Sequence, residues 1–168
     1  WEPAEGPLWL HLDRATPELA AWLRERSGLP EAACDALLAE ETRPGSSRVG
    51  DGLLVVLRGV NLNPGADPED MVSLRLWLEP NRILSLSKRR LLAVPDVLEE
   101  LDRGTGPVDA PDTLIWLAIR LIDRLRPVLE RIEDELDEYE ERALSGSGGD
   151  LQNQLAALRQ EVAAIRRH

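Results

Sequence analysis

Side chains that hold metals or carry redox chemistry are scarce here: one cysteine, Cys34, and two histidines, His11 and His168, among 168 residues. A lone cysteine excludes an internal disulfide framework and is compatible with a reducing compartment. A closed zinc site within one chain would need carboxylates to complete it. Positive charge is also short. With 20 Lys and Arg against 31 Asp and Glu, the net charge of -11 argues against a nucleic-acid partner, whose affinity rests on neutralising phosphates, and against an anionic membrane surface. Long apolar runs are missing as well. The longest, Leu114 to Ile119, falls far short of the roughly 18 to 20 residues of a spanning helix, and no signal peptide is visible. No nucleophile, base and orienting group can be assembled from the motifs present, so the expectation is a protein that is not an enzyme.

What the sequence has in quantity is helical periodicity. Ala118, Ile122, Leu125, Leu129, Ile132, Leu136, Tyr139 and Ala143 recur at steps of four and three, a heptad seam that keeps one stripe facing a partner helix. The spacing predicts one helix from Asp112 to Leu144, with Asp112 as N-cap, roughly 50 Å long and projecting from its domain. Pro127 should bend it or shift its packing. Ser145 to Gly149 reads as a flexible turn. Asp150 then caps a second run in which Leu151, Leu155, Leu158, Val162 and Ile165 repeat the alternation, giving an antiparallel helical hairpin. The start at Trp1 and the missing stop signal after Arg166 make the chain read as a piece of a larger protein.

Upstream, strands and helices alternate. Leu8 to Leu12 reads as a strand; Thr16-Pro17-Glu18 opens a helix that buries Leu19, Trp22 and Leu23; a second helix runs from Pro30 to Leu38. Gly50-Asp51-Gly52 joins two strands, Ser46 to Val49 and Leu53 to Asn61, as a hairpin. Val72, Leu74, Leu76 and Leu78 share one face of the next strand, while Ser73, Arg75 and Trp77 share the other. Ile83 to Ser87 is a further strand, and a helix follows from Pro95 to Gly104. The fold expected is an α/β/α layered domain with a mixed sheet at 1–110, followed by a long antiparallel helical hairpin at 111–168.

Several stretches carry a resemblance: Trp9 to Asp13, Glu41 to Pro44, Ser47 to Gly52, Leu57 to Asn61, Leu84 to Arg90, Glu100 to Asp109 and Leu158 to Arg167. In this order they resemble the cytoplasmic domain of ZntB-like zinc transporters, a branch of the CorA family of divalent-metal ion transporters. The resemblance implies a cytoplasmic funnel or regulatory domain on the inner side of the cell membrane, soluble in itself and catalysing nothing. It implies a homo-oligomer, a pentamer, around a membrane pore, with zinc as the transported cation and no tightly bound cofactor. The pore motif Gly-Met-Asn and both spanning segments are not in this sequence, whose single methionine, Met71, lies between Asp70 and Val72. The competing reading is a soluble scaffold that assembles through its hairpin and moves no ions.

Two groups of residues are candidate metal contacts. From Glu130 to Arg142 eight acids face two arginines, which accounts for six of the eleven net negative charges. Glu130, Asp134, Asp137 and Glu141 step by four, three and four, so they share a helix face and can attract a cation together. The plainer reading is a solvated face. His11 and Asp13 point to one face of a strand, a geometry open to a metal pair, although a structural histidine accounts for them with fewer assumptions. Ser85-Leu86-Ser87-Lys88 matches a Ser-x-x-Lys pattern without its companion motifs. Lys88-Arg89-Arg90 could meet phosphates or offset nearby acids. Arg58 and Arg75, within strands, are expected to pair with carboxylates.

Overall fold

The computed structural model describes residues 6–145 and 150–167. The elements are β1 (Leu8–Asp13), α1 (Leu19–Glu25), α2 (Glu31–Leu38), β2 (Gly45–Val49), β3 (Gly52–Gly59), β4 (Val72–Glu79), β5 (Arg82–Ser87), α3 (Ala93–Asp102), α4 (Ala110–Leu144) and α5 (Leu151–Arg166). The strands form one sheet in the order β1-β5-β4-β3-β2. β1 runs parallel to β5 and the remaining neighbours are antiparallel, so the sheet is mixed, as expected.

Alternation along β4 builds the layers. Leu74, Leu76 and Leu78 pack with Val97 of α3 and with Leu117 and Leu121 of α4. On the opposite face Trp77 joins Leu84, Leu86, Leu23 and Leu37 beneath α1 and α2. Burial of both faces explains why β3 to β5 are so apolar. The β2–β3 hairpin closes over Gly50-Asp51, with Val49 opposite Gly52 and Gly50 at φ +59°. Gly52 is required for a different reason: a Cβ there would lie 2.1 Å from Cζ2 of the buried Trp77 ring.

Two expected caps are replaced, and the third keeps its place without a capping bond. Thr16 makes no capping bond; α1 begins at Leu19, and the Thr16 carbonyl accepts from its amide. Asp109, two residues before the expected proline boundary, caps α4 by accepting from the Asp112 amide at 2.7 Å. Asp112 reaches back to accept from the Val108 amide at 3.0 Å, so the two acids cap reciprocally. Asp150 makes no side-chain cap and instead accepts from the Asn153 amide group at 2.7 Å.

One helix serves two partners. The first turns of α4 bury Ala110, Thr113, Leu117 and Leu121 against the α/β layers. Further along, Val128 and Ile132 pack with Leu158 of α5 and Val60, joined by Leu125, Tyr139 and Ile165. Ion pairs fix the base: Arg124 grips Asp96 of α3 with contacts of 2.6 and 2.9 Å, and Arg120 reaches Glu100 at 3.4 Å. Arg131 joins Glu161 across the hairpin. The expected turn at 146–149, Trp1 and His168 lie outside the described residues.

Helix α4 is continuous through Pro127, which lies on the exposed face between Leu125 and Val128 of the stripe that packs towards α5. The heptad seam is divided. Leu125, Ile132 and Tyr139 face α5 as expected, but Ile122, Leu129 and Leu136 are 60%, 42% and 41% exposed. The sheet draws inward a stripe beginning at Thr113 and Leu117, so α4 carries two apolar stripes that the periodicity merges into one. The outer stripe, Ile115, Ile119, Ile122, Leu129 and Leu136, has no partner among the described residues.

Candidate functional site

The acidic stretch lies on the projecting half of α4, beyond the layers. Glu130, Asp134, Asp137 and Glu141 are all exposed and share the face their spacing gives them. Glu135 and Glu138 are drawn into pairs with Arg131 at 2.5 Å and Arg142 at 3.9 Å. None of the four is in an ion pair among the described residues. Their charges therefore act on the solvent, where like charges along one helix face lower the potential and raise the local concentration of cations. No three His, Cys, Asp or Glu side chains converge in a metal-holding arrangement among the described residues. The stretch can attract ions by charge, with geometry left to water.

His11 lies on the edge strand β1, paired with Ser85 of β5. Its Nδ1 is 2.9 Å from Ser85 Oγ, and its Nε2 is 3.5 Å from Ser87 Oγ. Trp9 Nε1 donates to the same Ser85 Oγ at 2.8 Å. A neutral imidazole protonated at Nε2 suits this set: Ser85 accepts from Trp9 and donates to Nδ1, while Nε2 donates to Ser87. Desolvation holds the His11 pKa below its ordinary 6.5, against the opposing pull of Asp13. Asp13 itself accepts from the Ala15 amide at 2.8 Å, closing the turn after the strand. Both residues thus have structural bonds. Ser85 is fully buried in this network, far from the exposed nucleophile that a Ser-x-x-Lys motif requires.

Stability follows in sign from the lowered histidine pKa. Between the folded value and about 6.5 the unfolded chain binds the extra proton, so stability rises with pH through that interval. Chemical denaturation should show a midpoint that falls below pH 6.5 in the wild type, and the fall should be smaller in His11→Asn. Identical pH profiles for the two proteins would contradict this account.

Arg58 and Arg75 depart from the expected carboxylate pairing. Arg75, 3% exposed on β4, donates to the Leu37 carbonyl at 2.7 Å, to that of Ala39, and to that of Glu40 at 3.3 Å. Arg58 donates to the carbonyls of Thr42 at 2.7 Å and Met71 at 3.2 Å. Arg14, which carried no signal in the sequence, holds the carbonyls of Leu38 at 2.8 Å and Ala39 at 2.7 Å. The segment leaving α2 cannot continue a helix or join the sheet, so its carbonyls need other donors, and long guanidinium forks reach them. Burial first, then the like charges of Arg14 and Arg58, lower the Arg75 pKa to about 10, with Glu40 opposing. It remains charged at neutral pH.

Residues 4–168 match the family model described as CorA-like Mg2+ transporter protein. The divalent cation transporter CmaX of Pseudomonas aeruginosa is 50% identical over 167 residues, covering 98% of this chain and 50% of that protein. The zinc transport protein ZntB of Yersinia enterocolitica is 35% identical over 165 residues, with the same coverage of 98% and 50%. The crystal structure of the ZntB cytoplasmic domain from Vibrio parahaemolyticus superposes with a TM-score of 0.85 at 27% identity, over 98% of this chain and 65% of that one. The chain spans about half the length of the curated relatives it matches. Among the described residues no helix is long and apolar enough to cross a membrane. Because the likeness runs from the first strand into the second hairpin helix and includes the mixed sheet between them, the chain belongs to the CorA-like family of transporters and is homologous to the cytoplasmic domains of its divalent-cation members.

Proposed function

We propose that this chain is the cytoplasmic funnel or regulatory part of a zinc transporter of the inner membrane, working as one subunit of a homopentamer. Residues 1–110 would form its α/β body and residues 111–168 the hairpin that leads towards membrane segments elsewhere in the protein. The observation that carries this reading is α4. Its first half is built into the core of the α/β layers and its second half projects with an unpaired acidic face, so a movement of the body is transmitted along one helix. The uncovered stripe from Ile115 to Leu136 supports assembly with further copies, since apolar helix faces of this length are costly in water. Glu130, Asp134, Asp137 and Glu141 would gather divalent cations near the pore and release them readily, because carboxylates without His or Cys partners hold zinc loosely.

The test is zinc flux into vesicles carrying the full-length protein. Replacing the four acids together (Glu130→Gln, Asp134→Asn, Asp137→Asn, Glu141→Gln) should slow initial uptake about tenfold at low ionic strength, within the range of electrostatic focusing, and by less than about twofold at high salt. Equal rates at low salt would remove the acidic face from the mechanism. No divalent flux from the intact protein would remove the transport reading itself.

A further inference from the structure

Beside the segment that follows α2, a cavity of about 670 Å³ opens on the α1/α2 side of the sheet. Its walls carry Arg14, Arg43, Arg58, Arg75, Lys88 and Arg89, six cations in a chain whose net charge is -11. Compensation is partial. Three carboxylates share the lining: Glu40 meets Arg14 at 3.3 Å and Asp70 meets Arg89 at 3.3 Å, but these side chains are 84% and 72% exposed, and Glu41 is exposed and in no ion pair among the described residues. Deeper in, Arg75 spends its donors on carbonyl oxygens, which satisfy its hydrogens and leave its charge uncancelled. The Arg14 side chain is only 9% exposed. Its Nε and the Nε of Arg58 are buried donors without an acceptor among the described residues.

We propose that this cavity binds a phosphate-bearing small molecule with at least two phosphate groups, a pyrophosphate-type ligand, through Arg14, Arg58 and Lys88, with the uncancelled charge of Arg75 behind them. Buried guanidinium charge that carboxylates offset only at the solvent edge is costly, and phosphate oxygens accept from arginine forks in good geometry. The volume is that of a small-molecule site, with room beyond a single inorganic phosphate. Lys88 is exposed at the mouth, where a mobile ammonium can close on a second phosphate. The inference goes beyond the transport reading and does not depend on it.

Calorimetry on this chain, at an ionic strength fixed with sodium chloride, should show one site per chain for pyrophosphate and for ADP. Inorganic phosphate and sulfate should bind at least about tenfold more weakly, the loss of roughly one charge-assisted contact. Lys88→Gln, an exposed change that leaves the fold alone, should weaken pyrophosphate about tenfold, as should Arg58→Gln if circular dichroism shows it folded. Arg126→Gln, on the exposed face of α4, should leave affinity unchanged. Flat isotherms for pyrophosphate and ADP would overturn the proposal. So would equal affinity for pyrophosphate and sulfate, or equal weakening by Arg126→Gln and Lys88→Gln, since each would mean diffuse charge in place of a site.

Discussion

Arg75→Ala should lower the folding stability of this chain by about 3–5 kcal/mol, a large part of the roughly 5–15 kcal/mol available to an ordinary domain. The guanidinium supplies three carbonyl oxygens, those of Leu37, Ala39 and Glu40, in a position 3% exposed to water. Each bond from a charged donor contributes about 1.5–3 kcal/mol. Desolvation and the like charges of Arg14 and Arg58, which lower its pKa to about 10, offset part of that gain. Loss of the side chain leaves the Leu37 and Glu40 carbonyls without their guanidinium donor, while Arg14 still holds those of Leu38 and Ala39. Arg75→Met keeps the stem's packing and should lose nearly as much, which separates hydrogen bonding from volume. Arg126→Ala, on a side chain 67% exposed and 3.6 Å from Asp123, should stay within about 0.5 kcal/mol of wild type. Urea denaturation reads all three. A loss under about 1 kcal/mol for Arg75→Ala would mean that the carbonyls find other partners.

Leu158→Ala should release α5 while the α/β layers stay folded. Leu158 is the one α5 residue that is buried among those described, and it sits between Val128, Ile132 and Val60. Its truncation costs about 2–5 kcal/mol, where the rest of the contact is half-buried side chains and the Arg131–Glu161 pair. A helix of 16 residues is marginal by itself in water, so α5 holds its shape chiefly by docking. Hydrogen exchange should show α5 amides losing protection by a hundredfold or more, on the order of 3 kcal/mol at RT ln 10 per decade, while β3 to β5 change little. Unchanged α5 protection would place the stability of the hairpin in its half-buried contacts and the Arg131–Glu161 pair.

The elements were legible wherever a period is set by one environment. β4 reads cleanly because each of its faces meets a single layer, and the hairpin at Gly50-Asp51 reads cleanly because a two-residue loop needs a positive φ. α4 was legible as a helix and only half legible as a surface. The sheet, α5 and solvent each claim a stripe, and a single periodicity cannot assign three neighbours. The caps failed for a related reason. Asp109 and Asp112 are both good N-cap residues, and the backbone geometry at the domain edge, extended at Asp109, selects between them. The acidic face was legible as charge, since no folding is needed to place i, i+4 and i+7 together on a helix.

By itself, the sequence determined the order of strands and helices, the α/β layering, the hairpin and the family, because these depend on local period and on collinear motifs that survive reading one residue at a time. It also determined the sign of the charge and the exclusion of disulfides and of long apolar spans within these residues. Only the tertiary structure decided where the arginines go. Arg14, Arg58 and Arg75 are separated by up to 61 positions in the sequence, yet they converge on one segment, and they choose carbonyls over carboxylates. That choice follows from the backbone, whose unpaired oxygens at Leu37 to Thr42 exist only once α2 has ended against the sheet. Charge was written in the chain, but the cavity it lines required the fold.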